Sequence, residues 1–123
     1  MRGEEYLTKP RQYALVYSKG RSWTSDLVVI KALPNGLALS RCGFSVSKRV
    51  GKAVTRNKVK RLLREILRMI SLEPGWDMVF IVRPAAAAVN YATLKRTVEG
   101  LLLRACLLAR IELGDDNLAQ NSG

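Results

Sequence analysis

Hydrophobic and polar positions repeat with two different periods along this chain, and the change of period separates its elements. Apolar residues recur at every third or fourth position from Thr55 to Leu72, which is the spacing of an amphipathic helix. The runs Leu27–Leu33 and Asp77–Arg83 are instead short, apolar and rich in β-branched residues, so both predict strands. The pattern therefore indicates a mixture of helices and strands.

Two more helices and one more strand complete the predicted order. The segment Leu7–Gly20 predicts a short first helix with Thr8 as its N-cap, and Asn90 caps a last helix that runs to about Leu113. A second apolar run, Leu37–Val46, follows an Asn-Gly turn, so we expect it to pair with the preceding strand as a hairpin. The order helix, hairpin, helix, strand, helix predicts an α+β fold with helices packed on one sheet.

The length and composition of the chain predict a single domain with a strong positive charge. The 123 residues are 48% hydrophobic, enough for a core, and 21 Lys and Arg stand against 10 Asp and Glu, a net charge of +11. We expect one domain over residues 1–113 and a disordered polar tail over residues 114–123. Because no segment resembles a signal peptide or a membrane span, we also expect a cytoplasmic protein without a membrane partner.

Several kinds of catalytic site are excluded because the sequence contains no histidine. Histidine-based triads and HExxH zinc sites both require that side chain. Cys42 and Cys106 are far apart in the sequence and are expected to be buried small hydrophobes rather than a disulfide or a zinc site. Since the acidic residues are scattered, we expect neither catalytic nor metal-binding residues in this protein.

The positive charge is concentrated in the long helix and in the turn before it. Between Lys48 and Arg68 there are nine basic residues and one acidic residue, which gives this segment +8 of the total. An ordinary solvated helix face mixes both signs, whereas Arg56, Lys60 and Arg64 repeat the same charge at a spacing that makes them repel one another. This repetition indicates an anionic partner, and nucleic acid offers phosphates that arginine binds in a bidentate manner.

Two aromatic residues of the first helix are candidates for contact with unpaired bases. Tyr13 and Tyr17 are four residues apart, so their rings project from the same side of the helix. Aromatic side chains stack on bases in proteins that bind single strands, although both rings could instead pack on the sheet. Charge alone does not separate RNA from DNA, because both expose the same phosphate backbone.

The segment Gly43–Glu65 resembles the signature of the bacterial ribonuclease P protein subunit. It combines a strand ending in SVSK, a Gly-Lys-Ala-Val turn, an Arg-Asn-basic triplet and a Lys-Arg-apolar-apolar-Arg continuation, and it reads GFSVSKRVGKAVTRNKVKRLLRE. The similarity extends over roughly residues 7–110. It implies the order α-β-β-β-α-β-α, with three helices, a mostly antiparallel four-stranded sheet and a left-handed strand-helix-strand crossover.

The resemblance implies a protein cofactor of a ribonucleoprotein enzyme rather than a catalyst. Such a protein joins a catalytic RNA, and the complex removes the 5′ leader of precursor tRNA with Mg²⁺ held mainly by the RNA, so no small-molecule substrate is expected. By position, the residues that would bind the RNA subunit are Lys48, Arg49, Lys52, Arg56, Asn57, Lys58, Lys60, Arg61, Arg64 and Arg68. Those that would line a cleft for the leader are Tyr13, Tyr17, Val28, Ile30 and Ser45.

Two departures from the family pattern and one alternative function accompany this interpretation. Lys58 stands where the family has the second arginine of an Arg-Asn-Arg motif, so the charge is kept but the bidentate fork is lost. Tyr13 and Tyr17 stand where phenylalanine is common in the family, and this exchange of one aromatic ring for another should preserve stacking. The alternative is a general basic RNA-binding module of ribosomal-protein or RNA-chaperone type, which would share the charge and the sheet but would need no leader cleft.

Overall fold

The computed structural model describes residues 6–109, in which three α-helices accompany a four-stranded sheet. A short 3-10 helix, Pro84–Ala88, precedes the last α-helix. The predicted α+β class and the order α-β-β-β-α-β-α are confirmed, and the predicted tail at 114–123 lies outside the described residues. The elements are α1 (Pro10–Lys19), β1 (Arg21–Thr24), β2 (Val28–Pro34), β3 (Arg41–Ser45), α2 (Ala53–Arg68), β4 (Trp76–Val82) and α3 (Tyr91–Arg104).

The sheet has the strand order β1-β2-β4-β3. β2 pairs antiparallel with both β1 and β4, and β3 pairs parallel with β4. The predicted hairpin between β2 and β3 is wrong because β4 lies between them. The hairpin partner of β2 is β1, a mostly exposed strand that the hydrophobic pattern did not indicate. The handedness of the β3-α2-β4 crossover stays a prediction.

The main core lies between one face of the sheet and the helices α2 and α3. Ile30 of β2 and Phe80 of β4 are completely buried there, opposite apolar side chains of both helices. Because side chains alternate along a strand, every second residue of β2 and β4 enters this core. The predicted apolar stripe of α2 is confirmed: Val59, Leu63, Ile66 and Ile70 are buried and Leu62 is partly buried.

The helix α1 packs on the opposite face of the sheet. Val16 is completely buried and packs with Leu7 and Val79 in a small cluster separate from the main core. Tyr13, Leu33 and Ile81 are partly buried around this cluster. This face therefore has a much smaller apolar core, and part of it stays accessible.

Both ends of α1 depend on local backbone contacts. The helix ends at Gly20, where the sequence predicted. Glycine is required at this position because a Cβ atom would lie 2.5 Å from the carbonyl oxygen of Val16. At the other end Gln12 Oε1 accepts hydrogen bonds from the backbone N–H groups of Thr8 and Lys9, each at 2.9 Å. The N-cap is therefore Lys9, and the prediction of Thr8 is wrong.

The helix α3 ends earlier than the predicted Leu113. Cys106 has a φ of 60°, and the N–H groups of Cys106 and Leu107 donate to the carbonyl oxygens of Leu103 and Leu102 at 3.1 and 2.9 Å. This is the hydrogen-bond pattern of a Schellman termination, in which a left-handed residue follows the helix. Cys106 is exposed, so the expectation that it is buried is wrong, whereas that expectation is confirmed for Cys42. No helix within residues 6–109 is long and apolar enough to span a membrane.

Candidate nucleic-acid interface

The helix α2 carries most of the predicted RNA-binding residues outside its buried stripe, and at about 100° per residue Arg56 and Lys60 lie beside the stripe while Arg68 lies opposite it. Residues four positions apart are offset by only about 40° around a helix, so four of these side chains form a continuous line. Arg56, Lys60 and Arg64 are half-buried and Arg68 is exposed. Arg56 is fixed by a 3.1 Å hydrogen bond from Nε to the carbonyl oxygen of Gly51. We call Arg56, Lys60, Arg64 and Arg68 the basic strip.

Of the other predicted RNA-binding residues, the structure brings some next to the basic strip and places Lys58 on another side of α2. Asn57 and Arg61 are exposed beside it, and Lys58 points about 160° away from Lys60 around the helix axis. Among all ten residues, within the part of the chain that the structure describes, only Arg61 forms an ion pair, a 3.9 Å contact with Glu65 at the surface. Three more are exposed in or just after the turn that precedes α2: Lys48, Arg49 and Lys52.

A cavity of about 230 Å³ lies between α1, β3 and α2. Tyr13 from α1 and Phe44 from β3 contribute aromatic walls, and Lys60 and Arg64 from the basic strip contribute positive charge. A space bounded by aromatic rings and cations suits a nucleobase with its neighbouring phosphate. The remaining lining residues are Tyr6, Leu7, Cys42 and Gly43.

Tyr13 rests directly on the backbone of β3. A Cβ atom at Gly43 would lie 2.6 Å from the Tyr13 hydroxyl oxygen, so only glycine allows the ring to take this position. Burial raises the pKa of the Tyr13 phenol above its ordinary value of 10.0, and a backbone hydrogen bond at Phe44 partly opposes that effect. The phenol is therefore neutral at physiological pH and does not repel phosphate.

Two residues predicted to line the leader cleft are buried in the main core. Val28 and Ile30 have no exposed surface and pack on the side of α2 and α3, so their prediction as leader-binding residues is wrong. Side chains on a strand alternate between the two faces, and a shift of one residue reverses the face. On the α1 side, β2 instead presents Val29 and Lys31, both half-buried.

Ser45 and Tyr17 are accessible but lie outside the cavity lining. Ser45 is half-buried and pairs with Ile81, which pairs with Val29, so the three residues form a row across the α1 side of the sheet. Tyr17 is 39% exposed, and its carbonyl oxygen accepts a 3.4 Å hydrogen bond from Lys31 Nζ. The roles of both residues in leader binding stay predictions.

Two structural features that involve β3 were not predicted from the sequence. Phe44 was assigned only to an apolar run, although its ring forms part of the cavity wall. The second is a bidentate ion pair in which Arg41 Nε and Nη2 donate to the two carboxylate oxygens of Asp77 at 2.8 and 2.7 Å. Asn35 Nδ2 also donates to Asp77 at 2.9 Å. This pair joins the starts of β3 and β4, and the one sequence signal for it was an acidic residue opening an otherwise apolar strand.

Metal-ligating side chains are not grouped within the described part of the chain. In residues 6–109 no set of three or more cysteine, aspartate or glutamate side chains could together hold a metal ion. The chemistry that these residues do offer is positive charge beside aromatic surface.

Comparison with known proteins identifies the family of this chain. The family model described as Ribonuclease P matches residues 1–106. The chain is 46% identical over 112 residues to the ribonuclease P protein component of Dehalococcoides mccartyi strain CBDB1, covering 91% of this chain and 93% of that protein. It is 45% identical over 102 residues to the component of Roseiflexus castenholzii, covering 80% and 84%.

Solved structures agree with the sequence comparison. The ribonuclease P protein from Thermotoga maritima superposes with a TM-score of 0.73 at 33% identity, covering 81% of this chain and 96% of that one. The Staphylococcus aureus protein gives a TM-score of 0.77 at 28% identity, covering 85% and 97%. This chain belongs to the ribonuclease P protein family. It is accordingly a protein subunit of the endoribonuclease that processes tRNA, with ribonuclease P RNA as its partner.

Proposed function

We propose that this chain binds the catalytic RNA of ribonuclease P through the basic strip and its flanking residues, and the 5′ leader of precursor tRNA through the neighbouring cavity. The observation that carries this proposal is that Lys60 and Arg64 belong to both the basic strip and the cavity lining. An RNA bound along α2 and a single strand entering beside Tyr13 would therefore share one positively charged boundary. We expect this subunit to act in the bacterial cytoplasm.

The protein promotes the reaction by bringing two polyanions together. Phosphates of the catalytic RNA and of the leader repel each other, and cations between them lower that repulsion. Lys60 and Arg64 are half-buried, so water screens their charges less than it screens those of fully exposed residues. The Tyr13 ring adds a stacking surface that does not depend on the leader sequence, since every base has a π-face.

Mg²⁺ has a defined part in this proposal. The ion would be held mainly by the RNA, where it would supply Lewis-acid chemistry for phosphodiester hydrolysis, and no residue of this chain is proposed to hold it. The basic residues of the protein lower the concentration of Mg²⁺ that the complex requires, because they take over part of the neutralisation of phosphate charge that free cations otherwise provide.

The test is precursor-tRNA cleavage by a bacterial ribonuclease P RNA at low Mg²⁺, with and without the purified full chain. We expect the protein to restore cleavage at the mature 5′ end. Arg96→Gln, which removes one exposed charge on α3, serves as a control that should rescue as well as the unmodified chain. Tight RNA binding without any rescue would overturn the proposal and favour a general RNA-binding module.

A further inference from the structure

The strand β1 carries a second group of basic and aromatic side chains at the edge of the sheet opposite β3. The guanidinium carbon of Arg21 lies 5.4 Å from the centroid of the Trp23 ring. Arg104, in the last turn of α3, donates from Nη1 to the carbonyl oxygen of Thr24 at 3.5 Å. We call Arg21, Trp23 and Arg104 the β1 surface.

The charges of the β1 surface have no acidic partner in the described part of the chain. Arg21 and Arg104 are both exposed, and within residues 6–109 no carboxylate lies within 4.0 Å of either guanidinium. Two strands, β2 and β4, separate β1 from β3 and its cavity, which corresponds to roughly 14 Å of sheet. The RNA contact proposed for the basic strip and the cavity therefore does not account for these two arginines.

The chemistry of the β1 surface is suited to an unpaired nucleotide. A guanidinium held over an indole ring by a cation–π contact is exposed on its outer side, where a base can stack on it. Arg104, which contacts the other end of the same strand at Thr24, can bind a phosphate of the same RNA segment through two parallel hydrogen bonds. Among residues 6–109, no further strand covers the edge of β1, which offers backbone N–H groups there.

We infer that the β1 surface is a second RNA-contacting surface, which holds an unpaired nucleotide of the ribonuclease P RNA between Arg21 and Arg104. This inference rests on the proposed function, because it takes the protein in its complex with that RNA. The protein would then lie between two RNA segments, one along the basic strip and one at the opposite edge of the sheet. Such a bridge also fixes the orientation of the cavity relative to the RNA.

Single substitutions test the contact in the reconstituted complex with a bacterial ribonuclease P RNA. Arg21→Gln and Arg104→Gln are each expected to weaken RNA binding about five-fold and to make the slope of log affinity against log salt shallower by about 0.7. Arg96→Gln is the matched control and should change neither quantity. Arg21→Lys should keep the salt slope but lose affinity, because lysine keeps the charge without the planar stack.

These variants also separate an RNA contact from a purely structural role of Arg21 as a cover for Trp23. A structural role would lower the thermal unfolding midpoint of both Arg21 variants while leaving the salt slope unchanged. That pattern, or RNA affinities equal to that of Arg96→Gln, would overturn the inference.

Cleavage of the RNA by a tethered iron chelate provides a second measurement that does not depend on affinity. The probe is attached to Leu103→Cys, which is exposed beside Arg104 on α3, or to Val54→Cys on α2, each in a Cys106→Ser background. Cys42 does not compete for the probe, because it is fully buried and burial raises the pKa of its thiol to about 12. Val54 is 82% exposed and reports on the α2 side.

The two probe positions distinguish the two proposals. We expect the Leu103 and Val54 probes to cut different segments of the ribonuclease P RNA. Cutting from Val54 alone would overturn the second surface while supporting the proposed function. Absence of cutting from both positions would contradict both proposals.

Discussion

The helices α2 and α3 bury similar apolar stripes in the same core, but their solvent sides are built differently. In α3 the Asn90 side chain caps the first turn by accepting the N–H of Thr93 at 2.9 Å, as the sequence predicted, and Lys95 pairs with Glu99 at 3.4 Å. In α2 the N-cap is Lys52, which makes no side-chain cap and places a positive charge at the start of the helix. Basic side chains near a helix N-terminus oppose the helix dipole.

This difference indicates which helix is adapted to a partner. Each like-charge pair at i, i+4 along the basic strip costs a few tenths of a kcal/mol, and a missing cap costs about 1 kcal/mol. The sequence of α2 thus retains features that weaken the isolated protein, whereas α3 avoids them. When RNA binds, the same features become favourable, because the cations that repel one another and the uncapped N–H groups of the first turn can contact phosphates.

Removing two charges of the basic strip should give the largest effect. Lys60→Gln with Arg64→Gln is expected to weaken binding to ribonuclease P RNA about 100-fold, if each lost charge-assisted contact is worth about 1.4 kcal/mol. The free energy of unfolding should stay constant or rise, since repulsion is relieved. Titration of labelled RNA and urea unfolding measure the two quantities.

The salt dependence of RNA binding is a second way to compare the unmodified chain with this double variant. With about six phosphates neutralised, log affinity of the unmodified chain should fall against log salt with a slope of about −4 to −5, and the double variant should be shallower by about 1.5. A slope near −1 for the unmodified chain would contradict the polyelectrolyte account.

A side-chain cap at the N-terminus of α2, like the cap that α3 has, should stabilise the protein and weaken its binding to RNA. Lys52→Asp supplies an oxygen acceptor for the first turn and a negative charge beside the dipole, so unfolding should cost about 1 kcal/mol more. RNA binding should weaken about ten-fold, because a cation is replaced by an anion at the surface that faces phosphate. Lys52→Ser, which can cap without adding negative charge, separates the two contributions. If Lys52→Asp bound RNA normally, the N-terminus of α2 would not face the RNA.

The corresponding change in α3 should affect stability alone. Asn90→Ala removes the side-chain acceptor of that N-cap and should lower the free energy of unfolding by about 1 kcal/mol. RNA affinity, measured well below the unfolding transition, should not change. Asn90→Ser is the matched control, since serine caps nearly as well. A loss of RNA affinity on Asn90→Ala would show that the division of roles between the two helices is wrong.

The smallest effect is expected at the end of α3. Cys106 has a left-handed backbone that glycine adopts without steric cost, so Cys106→Gly should stabilise the protein by about 0.5 kcal/mol. Cys106→Ala, which keeps the Cβ atom, should not gain this stability. The thermal unfolding midpoints of the two variants decide the matter, and equal midpoints would count against the strain at this position.

The helices were predictable because their signals are local, whereas the strand pairing was not. The apolar stripe of α2 is encoded by residues three or four positions apart, and the cap of α3 by Asn90 and Thr93. The strand β1 is short, largely exposed and partly polar, so it gives little hydrophobic signal. The insertion of β4 between β2 and β3 depends on contacts between residues distant in the chain, and the ion pair of Arg41 with Asp77 is one of them.

The candidate site was predictable in charge but only partly in geometry. The basic strip follows from helical spacing alone. Val28 and Ile30 were assigned to the wrong face because the run Leu27–Ile30 is uniformly apolar and does not show the phase of the strand. The meeting of Tyr13 with Lys60 at one cavity depends on how α1 docks on β3, which Gly43 permits and which no local pattern reveals.

The central claim is that the cavity beside the basic strip contacts the leader, and affinity for matched RNAs tests it most directly. The reconstituted complex is titrated with precursor tRNA and with mature tRNA, using the unmodified chain, Tyr13→Phe and Tyr13→Ala. We predict that Tyr13→Ala weakens binding of the precursor about ten-fold by loss of stacking and leaves mature tRNA unchanged, while Tyr13→Phe behaves as the unmodified chain. Equal weakening for both RNAs would contradict the account.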